Sequence, residues 1–294
     1  MQCFVSESSL IVFMMTIISL LLLASLLPHL TFTGESDCVR ILRVFHRYVL
    51  NNLTYNTLSL SAHVNVGIVN GKEAKPHSRP YMVSIQLNKK HVCGGFLISD
   101  EFVLTAAHCW NGYKALTVVV GAHDLRKSKN SDRIGVKSYI PHPSYMANFS
   151  WNDIMLLRLW EKVNINNYVE WISLPKKGDH VEANTLCSVA GWGRLKTEGP
   201  ESDRLMEANV YIMNKSECHE RWREKFLESQ MMCTRGHGGS CLFDSGGPLV
   251  CGHTAIGVTA FGYKLLCNSP EKPNVYIKIS PYVPWINGII RNVK

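Results

Sequence analysis

Residues 244–251 read DSGGPLVC, which places Ser245 between an aspartate and two glycines. Glycines beside a serine let a substrate backbone approach its hydroxyl closely, because they carry no side chain. A serine hydroxyl is nonetheless a poor nucleophile at neutral pH unless a base takes its proton. By itself the stretch fits a catalytic nucleophile and an ordinary turn about equally well, so the rest of the chain must decide between them.

Two upstream segments supply the missing groups. Residues 105–109 read TAAHC and place His108 directly after an apolar run, and residues 152–157 read NDIMLL and place Asp153 at the head of an apolar strand. A lone histidine is usually structural, and a lone aspartate is usually a cap. All three elements in one chain predict acyl transfer, in which Ser245 attacks, His108 moves the proton and Asp153 orients the histidine.

The chain from residue 68 onward has the sequence pattern of a β-rich domain. Short apolar or alternating runs such as YMVSIQL, ALTVVVG and DIMLLRL are separated by turn residues such as Asn-Gly and Gly-Gly. Such punctuated runs predict an all-β barrel or sandwich. A helix is predicted only at the C-terminus, where Val283, Ile286, Ile289 and Ile290 recur at spacings of three and four.

The cysteines and the N-terminus indicate export. The chain has ten cysteines and no C-x2-C pair, which favours disulfides over zinc-finger or thioredoxin-type sites. Residues Leu10 to Leu27 are almost continuously apolar and predict a signal peptide within residues 1–33, with Met14 or Met15 as an alternative start. Membrane attachment is expected only if residues 10–27 are an uncleaved anchor. Three N-x-S/T sequons fit the same route: Asn52, Asn148 and Asn214.

The net charge and the segment 34–67 each leave two interpretations open. A formal charge of +8 is typical of a solvated basic surface and also attracts acidic partners such as proteoglycans. The basic residues are scattered without a nucleic-acid motif, so no nucleic acid is expected as a partner.

Residues 34–67 are predicted to be a pro-segment or an insertion absent from the functional product. The spacing of Arg40, Arg43 and Arg47 also fits a membrane-surface helix.

No cofactor and no metal ion are expected. No acidic cluster resembles a calcium loop, and the histidines lack the spacing of metal ligands.

Several motifs carry a resemblance to a known family. From residue 68 to the C-terminus the chain resembles the trypsin/chymotrypsin-like serine proteases, and the phrases KPHSRPYMVSIQ and VYIKISPYVPWI are most similar to the granzyme, mast-cell protease and duodenase branch. The resemblance implies two antiparallel six-stranded β-barrels and a C-terminal helix in a protease domain over residues 68–294. It places His108 and Asp153 in the first barrel and Ser245 in the second, with protein or peptide substrates. The supporting motifs are IVNG (68–71), HVCGGFLI (91–98), TAAHC (105–109), DIMLL (153–157), AGWG (190–193), DSGGPLVC (244–251) and NVYIKIS (274–280).

The resemblance also implies cross-links and an activation step. Cleavage before Ile68 frees an α-amine that pairs with Asp244 and orders the site. The residue before the cleavage point is Gly67, which is neither Lys nor Arg, so a trypsin-like activating protease is not expected. Instead, we expect the removal of a dipeptide, as in the granzymes that the chain resembles. That route needs only a short pro-segment, so residues 34–61 are predicted to be an insertion. The implied disulfides are Cys93–Cys109, Cys187–Cys251, Cys218–Cys233 and Cys241–Cys267.

The implied substrate pocket predicts selectivity. Its floor, Gly239, carries no charge, whereas trypsin-like members have an aspartate there, so cleavage after Lys or Arg is disfavoured. Asn274 replaces a glycine of the pocket wall and narrows it, which favours an apolar or medium-sized P1 residue. The full implied pocket set is Gly239, Ala260, Phe261, Gly262 and Asn274.

Two departures from the family pattern keep a second function open. The resemblance makes the backbone N–H groups of Phe243 and Ser245 the oxyanion hole, but the family has glycine at the first position. A Cβ there is expected to strain the backbone and turn the N–H aside. Ala260 replaces a serine whose hydroxyl supports the triad aspartate. The alternative is therefore a weak or inactive protease homologue that acts by binding.

Overall fold

The computed structural model describes residues 68–127 and 131–292. The predictions for the signal peptide (1–33), for the segment 34–67 and for Asn52 lie outside the described residues. A two-residue strand, β1 (Lys72–Glu73), comes first and pairs with a strand of the second barrel described below.

Six antiparallel strands close into a first barrel. They are β2 (Met82–Leu87), β3 (Lys90–Leu97), β4 (Phe102–Thr105), β5 (Thr117–Val120), β6 (Asp132–Pro141) and β7 (Met155–Leu159). Their order around the barrel is β2-β3-β4-β7-β6-β5. Inward-facing Val, Ile and Leu side chains fill it, among them Val83, Leu97, Val118 and Leu157. Short apolar runs, several of them buried on both faces, thus form a closed sheet with no unpaired edge.

Six more strands close into a second barrel. They are β8 (Leu186–Gly191), β9 (Met206–Ile212), β10 (Met231–Arg235), β11 (Pro248–Cys251), β12 (Thr254–Phe261) and β13 (Asn274–Lys278). Strand β8 pairs with both β9 and β11, which closes the ring, and β1 adds to the outside of β9. The prediction of two six-stranded antiparallel barrels is confirmed.

Helices are few. The C-terminal helix α2 (Val283–Asn292) is confirmed, with Ile286 fully buried against the core. The expectation that it would be the sole helix is wrong, because α1 (Lys215–Trp222) precedes it. Helix α1 buries only Cys218, so it has no apolar stripe, and the Asn214 side chain caps its N-terminus. Within the described residues, no helix is long and apolar enough to cross a membrane.

The barrels share an apolar core, and four disulfides cross-link strands, turns and helix α1 within the described residues. Phe96, Leu104 and Leu156 of the first barrel pack in one buried cluster with Val258 and Val275 of the second. The implied disulfide pairs are confirmed as Cys93–Cys109, Cys187–Cys251, Cys218–Cys233 and Cys241–Cys267. A disulfide of this kind stabilises a fold by about 2–4 kcal/mol.

Candidate active site

Two neighbouring strands of the first barrel bring His108 and Asp153 together. Thr105, the last residue of β4, pairs with Met155, the first residue of β7. His108 lies in the 3-10 turn just after β4, and Asp153 lies just before β7, so both project beyond the same end of the antiparallel pair. Sequence positions 45 residues apart thereby meet at hydrogen-bond distance.

The Asp153 carboxylate holds His108 at two points. The backbone N–H of His108 donates to Oδ1 at 2.9 Å, and the ring nitrogen Nδ1 lies 2.6 Å from Oδ2. Because a carboxylate accepts only, Nδ1 carries the proton and Nε2 is left as the basic nitrogen. Burial by itself would lower the pKa of His108, but the hydrogen bond and the negative charge of Asp153 outweigh it and raise that pKa.

Ser245 enters the same region from the second barrel. The N–H of Gly94 in β3 donates to the Ser245 carbonyl at 2.8 Å, which joins the serine turn to the first barrel. Ser245 and His108 line one cleft of about 320 Å³. This pairing places a hydroxyl and a basic imidazole on one surface, as general-base activation of a nucleophile requires.

The requirement for glycine after Ser245 has a different physical reason from the one inferred from the sequence. Gly246 has a φ of +84°, and a Cβ added there would lie 2.1 Å from Thr105 Oγ1 and 2.4 Å from the Gly94 carbonyl oxygen. A Cβ on Gly247 would lie 3.1 Å from the Asp244 carbonyl oxygen. Packing against the first barrel, rather than room for substrate, therefore demands glycine at Gly246, whereas Gly247 is restricted by backbone oxygens of its own barrel.

Asp244 is a buried carboxylate held by backbone N–H groups. Those of Cys241 and Gly193 donate to it at 2.9 and 2.8 Å. Burial outweighs these bonds and raises the pKa of Asp244 to about 7. Within residues 68–127 and 131–292 no cation pairs with it. Ile68 is fully buried in a core cluster of the second barrel, and Val69 bridges to Gly239.

Phe243 adopts the backbone conformation of a glycine. Its φ is +76°, which L-residues with a Cβ rarely adopt. Neither its N–H nor that of Ser245 donates a hydrogen bond within the part of the chain that the structure describes. The strain expected from the sequence is present, and neither N–H group is occupied by an acceptor among the described residues.

A buried histidine holds the carbonyl of Phe243. His91 Nε2 lies 3.0 Å from that oxygen, and Nδ1 lies 2.8 Å from Ser84 Oγ. Burial lowers the pKa of His91 to about 4, so the ring is neutral at pH 7. Because a carbonyl accepts only, Nε2 carries the proton and the Ser84 hydroxyl donates to Nδ1.

Four of the five pocket residues predicted from sequence line the cleft, namely Ala260, Phe261, Gly262 and Asn274, whereas Gly239 is not among its lining residues. Asn274 is buried, and its Nδ2 donates to the Ser240 carbonyl at 2.9 Å. A Cβ on Gly239 would lie 2.7 Å from Asn274 Nδ2, and one on Gly262 would lie 2.3 Å from its Oδ1. The Asn274 amide thus lies between these two glycines. Phe261 packs edge-on against Trp222 at 5.0 Å, and Ala260 is buried.

Comparison with known proteins agrees with this geometry. The family model described as Trypsin matches residues 68–286. The chain belongs to the trypsin family. It is 38% identical to mast cell protease 3 of Ovis aries, in a match that covers 77% of this chain and 90% of the relative. It is 36% identical to granzyme B(G,H) of Mus musculus, in a match that covers 80% of this chain and 96% of the relative. The solved structure of mouse neuropsin, a serine protease, superposes with a TM-score of 0.70 at 33% identity, over 76% of this chain and 100% of that chain.

Some residues of this trypsin-family cleft carried no signal in the sequence. Ser150 comes from the loop before Asp153, and Lys264 from the loop after β12, and neither lies in a motif. Tyr263 and Leu242 add partly exposed apolar surface. The sequon residues Asn148 and Asn214 are both exposed. These positions depend on loop paths, which periodicity and spacing do not predict.

Proposed function

We propose that this trypsin-family protein is a secreted or granule serine endopeptidase. Ser245 Oγ attacks the carbonyl carbon of a peptide bond while His108 Nε2 takes the hydroxyl proton, and the carbonyl electron pair moves to oxygen. The N–H groups of Phe243 and Ser245 stabilise that oxyanion. His108 then gives the proton to the leaving nitrogen as the C–N bond breaks, and water hydrolyses the resulting ester by the reverse steps.

The two-point contact between Asp153 and His108 carries this proposal. A hydrogen bond on the backbone N–H and another on Nδ1 fix both the position and the tautomer of the ring. With Nδ1 protonated, Nε2 is free to accept the serine proton, and the buried carboxylate stabilises the imidazolium that forms. A histidine with only a structural role needs no such second contact.

The substrate residue before the cleaved bond is proposed to be apolar or medium-sized. The pocket floor at Gly239 offers no carboxylate, Asn274 shortens the pocket, and Lys264 places a positive charge at its lining. These features disfavour Lys and Arg side chains. Peptide substrates with Leu, Met or Phe at P1 are expected to be cleaved faster than matched Arg substrates, and the opposite order would contradict the proposal.

Activation is proposed to follow cleavage between Gly67 and Ile68. A buried carboxylate without a cation is costly, and a new α-amine at Ile68 would provide that cation to Asp244. On the same secretory route, Asn148 and Asn214 are proposed to carry glycans, since both are exposed. The basic surface is proposed to bind acidic proteoglycans. N-terminal sequencing of the natural protein tests the first point, because a mature chain that starts elsewhere than Ile68 would exclude it.

A second candidate function is binding without efficient cleavage. Two features favour it: Phe243 must maintain a strained backbone for its N–H to serve an oxyanion, and residue 260 is alanine where the family resemblance implies a serine that supports Asp153. The loss of one oxyanion donor slows turnover by about 10²–10³-fold. A homologue with a relaxed Phe243 peptide would still bind peptides in the cleft.

A fluorophosphonate probe separates the two candidates. The protein is prepared with Ile68 as its verified first residue, exposed to the probe, and compared with a Ser245→Ala variant. Covalent labelling of Ser245 that is absent from the variant supports the endopeptidase. An unlabelled protein with a correct N-terminus and a cooperative unfolding transition supports the binding homologue.

A further inference from the structure

The peptide between Leu242 and Phe243 is held by a residue that has no part in the mechanism proposed above. Its N–H is the oxyanion donor of Phe243, and its carbonyl belongs to Leu242. In a trans peptide these two groups point in opposite directions. Whatever binds the Leu242 carbonyl therefore also sets the direction of the Phe243 N–H.

Arg194 binds that carbonyl. Its backbone N–H donates to the Leu242 oxygen at 2.9 Å. Its guanidinium carbon also lies 5.7 Å from the centroid of the Phe243 ring, which is the distance of a cation–π contact. One residue thus contacts the strained unit at its carbonyl and at its aromatic side chain.

Within the described part of the chain, Arg194 makes no ion pair, and Glu201 lies opposite it in an isolated β-bridge. No carboxylate there lies within ion-pair distance of its guanidinium, although several other arginines make such pairs. Arg194 and Phe243 are both half-buried, so their contact is only partly screened by solvent. The guanidinium is therefore free to stay on the ring.

We propose that Arg194 is a positioning residue for the oxyanion peptide of this chain. Its guanidinium anchors the Phe243 ring, and its N–H fixes the Leu242 carbonyl, so that the left-handed Phe243 backbone keeps its N–H directed at the cleft. His91 holds the following peptide through the Phe243 carbonyl. The role of Arg194 in catalysis rests on the proposed endopeptidase function. Its effect on the orientation of the peptide between Leu242 and Phe243 does not depend on that function.

The test is a double-mutant cycle in the Ile68-start protein. Arg194→Met removes the charge, and Arg194→Lys keeps it, each in the native chain and in a Phe243→Gly background. Arg291→Met, on an exposed face of α2, is the control for loss of one positive charge. The readouts are kcat, KM and the rate of fluorophosphonate labelling.

Arg194→Met is expected to lower kcat and the labelling rate about two- to fivefold, which corresponds to about 0.4–1 kcal/mol, with KM unchanged. Arg194→Lys should retain most of the rate. In the Phe243→Gly background neither substitution should matter, because the ring is gone. An equal loss in both backgrounds, or a loss confined to substrates with acidic residues after the cleaved bond, would overturn the proposal.

A second readout does not depend on catalysis. In protein labelled with [15N]phenylalanine, the amide signal of Phe243 is assigned by its disappearance in Phe243→Gly. Arg194→Met should shift or split this signal, and Arg291→Met should leave it in place. If the wild-type protein fails to react with the probe but the signal shifts, the endopeptidase is excluded and the positioning role stands. An unmoved signal excludes the positioning role.

Discussion

Replacement of Phe243 by glycine tests whether the proposed oxyanion donor, the Phe243 N–H, is intact in this chain. Phe243 already has a φ of +76°, which is a glycine-type conformation, and its N–H has no acceptor among the described residues. The substitution therefore should not reorient the donor. We expect kcat to change by less than about tenfold, well below the roughly 10²–10³-fold that separates an oxyanion hole with two donors from one with a single donor.

The effect of Phe243→Gly on stability follows from three opposing contributions. Relief of the left-handed backbone stabilises the fold by about 1–2 kcal/mol. The greater freedom of glycine in the unfolded chain costs about 0.5–1 kcal/mol. Loss of the half-buried ring and of its contact with Arg194 costs about 1–2 kcal/mol more. The sum predicts that the free energy of unfolding falls by no more than about 2 kcal/mol.

The assay combines steady-state kinetics on a Leu or Phe peptide with urea unfolding of the Ile68-start protein. Phe243→Ala is the matched variant, because it keeps the Cβ and the strained backbone but removes the ring. If Phe243→Gly turned over its substrate about a hundredfold faster or more, phenylalanine would be costing the chain its donor, and the inference from φ would be refuted.

Three further predictions concern pH, pocket depth and the serine turn. In the uncleaved chain, burial raises the pKa of Asp244 from 3.8 to about 7. Between these pH values the folded state binds more protons than the unfolded state. The free energy of unfolding therefore falls by an amount on the order of 4 kcal/mol as the pH rises from 3.8 to about 7. Urea titrations should find this fall in the uncleaved protein and not in the Ile68-start protein; parallel curves would contradict it. Asn274→Gly deepens the pocket and should raise kcat/KM for Phe over Leu at P1 by about tenfold, and an unchanged ratio would contradict the pocket assignment. Gly246→Ala places a Cβ against Thr105 at positive φ and should destabilise the fold by roughly 2–4 kcal/mol in urea unfolding; a neutral result would refute the packing argument.

Most of the fold could be predicted from the sequence, because alternating runs and turn residues are local signals. The C-terminal helix followed from an apolar stripe, and the motifs implied two barrels and the disulfide pairs. Helix α1 could not be found in this way, because it buries only Cys218 and rests on a cap at Asn214. The paths of the loops that carry Ser150 and Lys264 have no periodicity to read.

The serine turn separates what sequence and tertiary structure each contribute. The identity of Ser245, His108 and Asp153 as candidate residues is a property of the sequence, since their motifs require those residue types in that order. The reason for Gly246 is tertiary, because its restricting neighbours, Thr105 and Gly94, come from the other barrel. The conformation of Phe243 is tertiary as well. A left-handed phenylalanine is disfavoured on its own, and it persists here because His91 and Arg194, both far away in sequence, hold the two peptides that flank it.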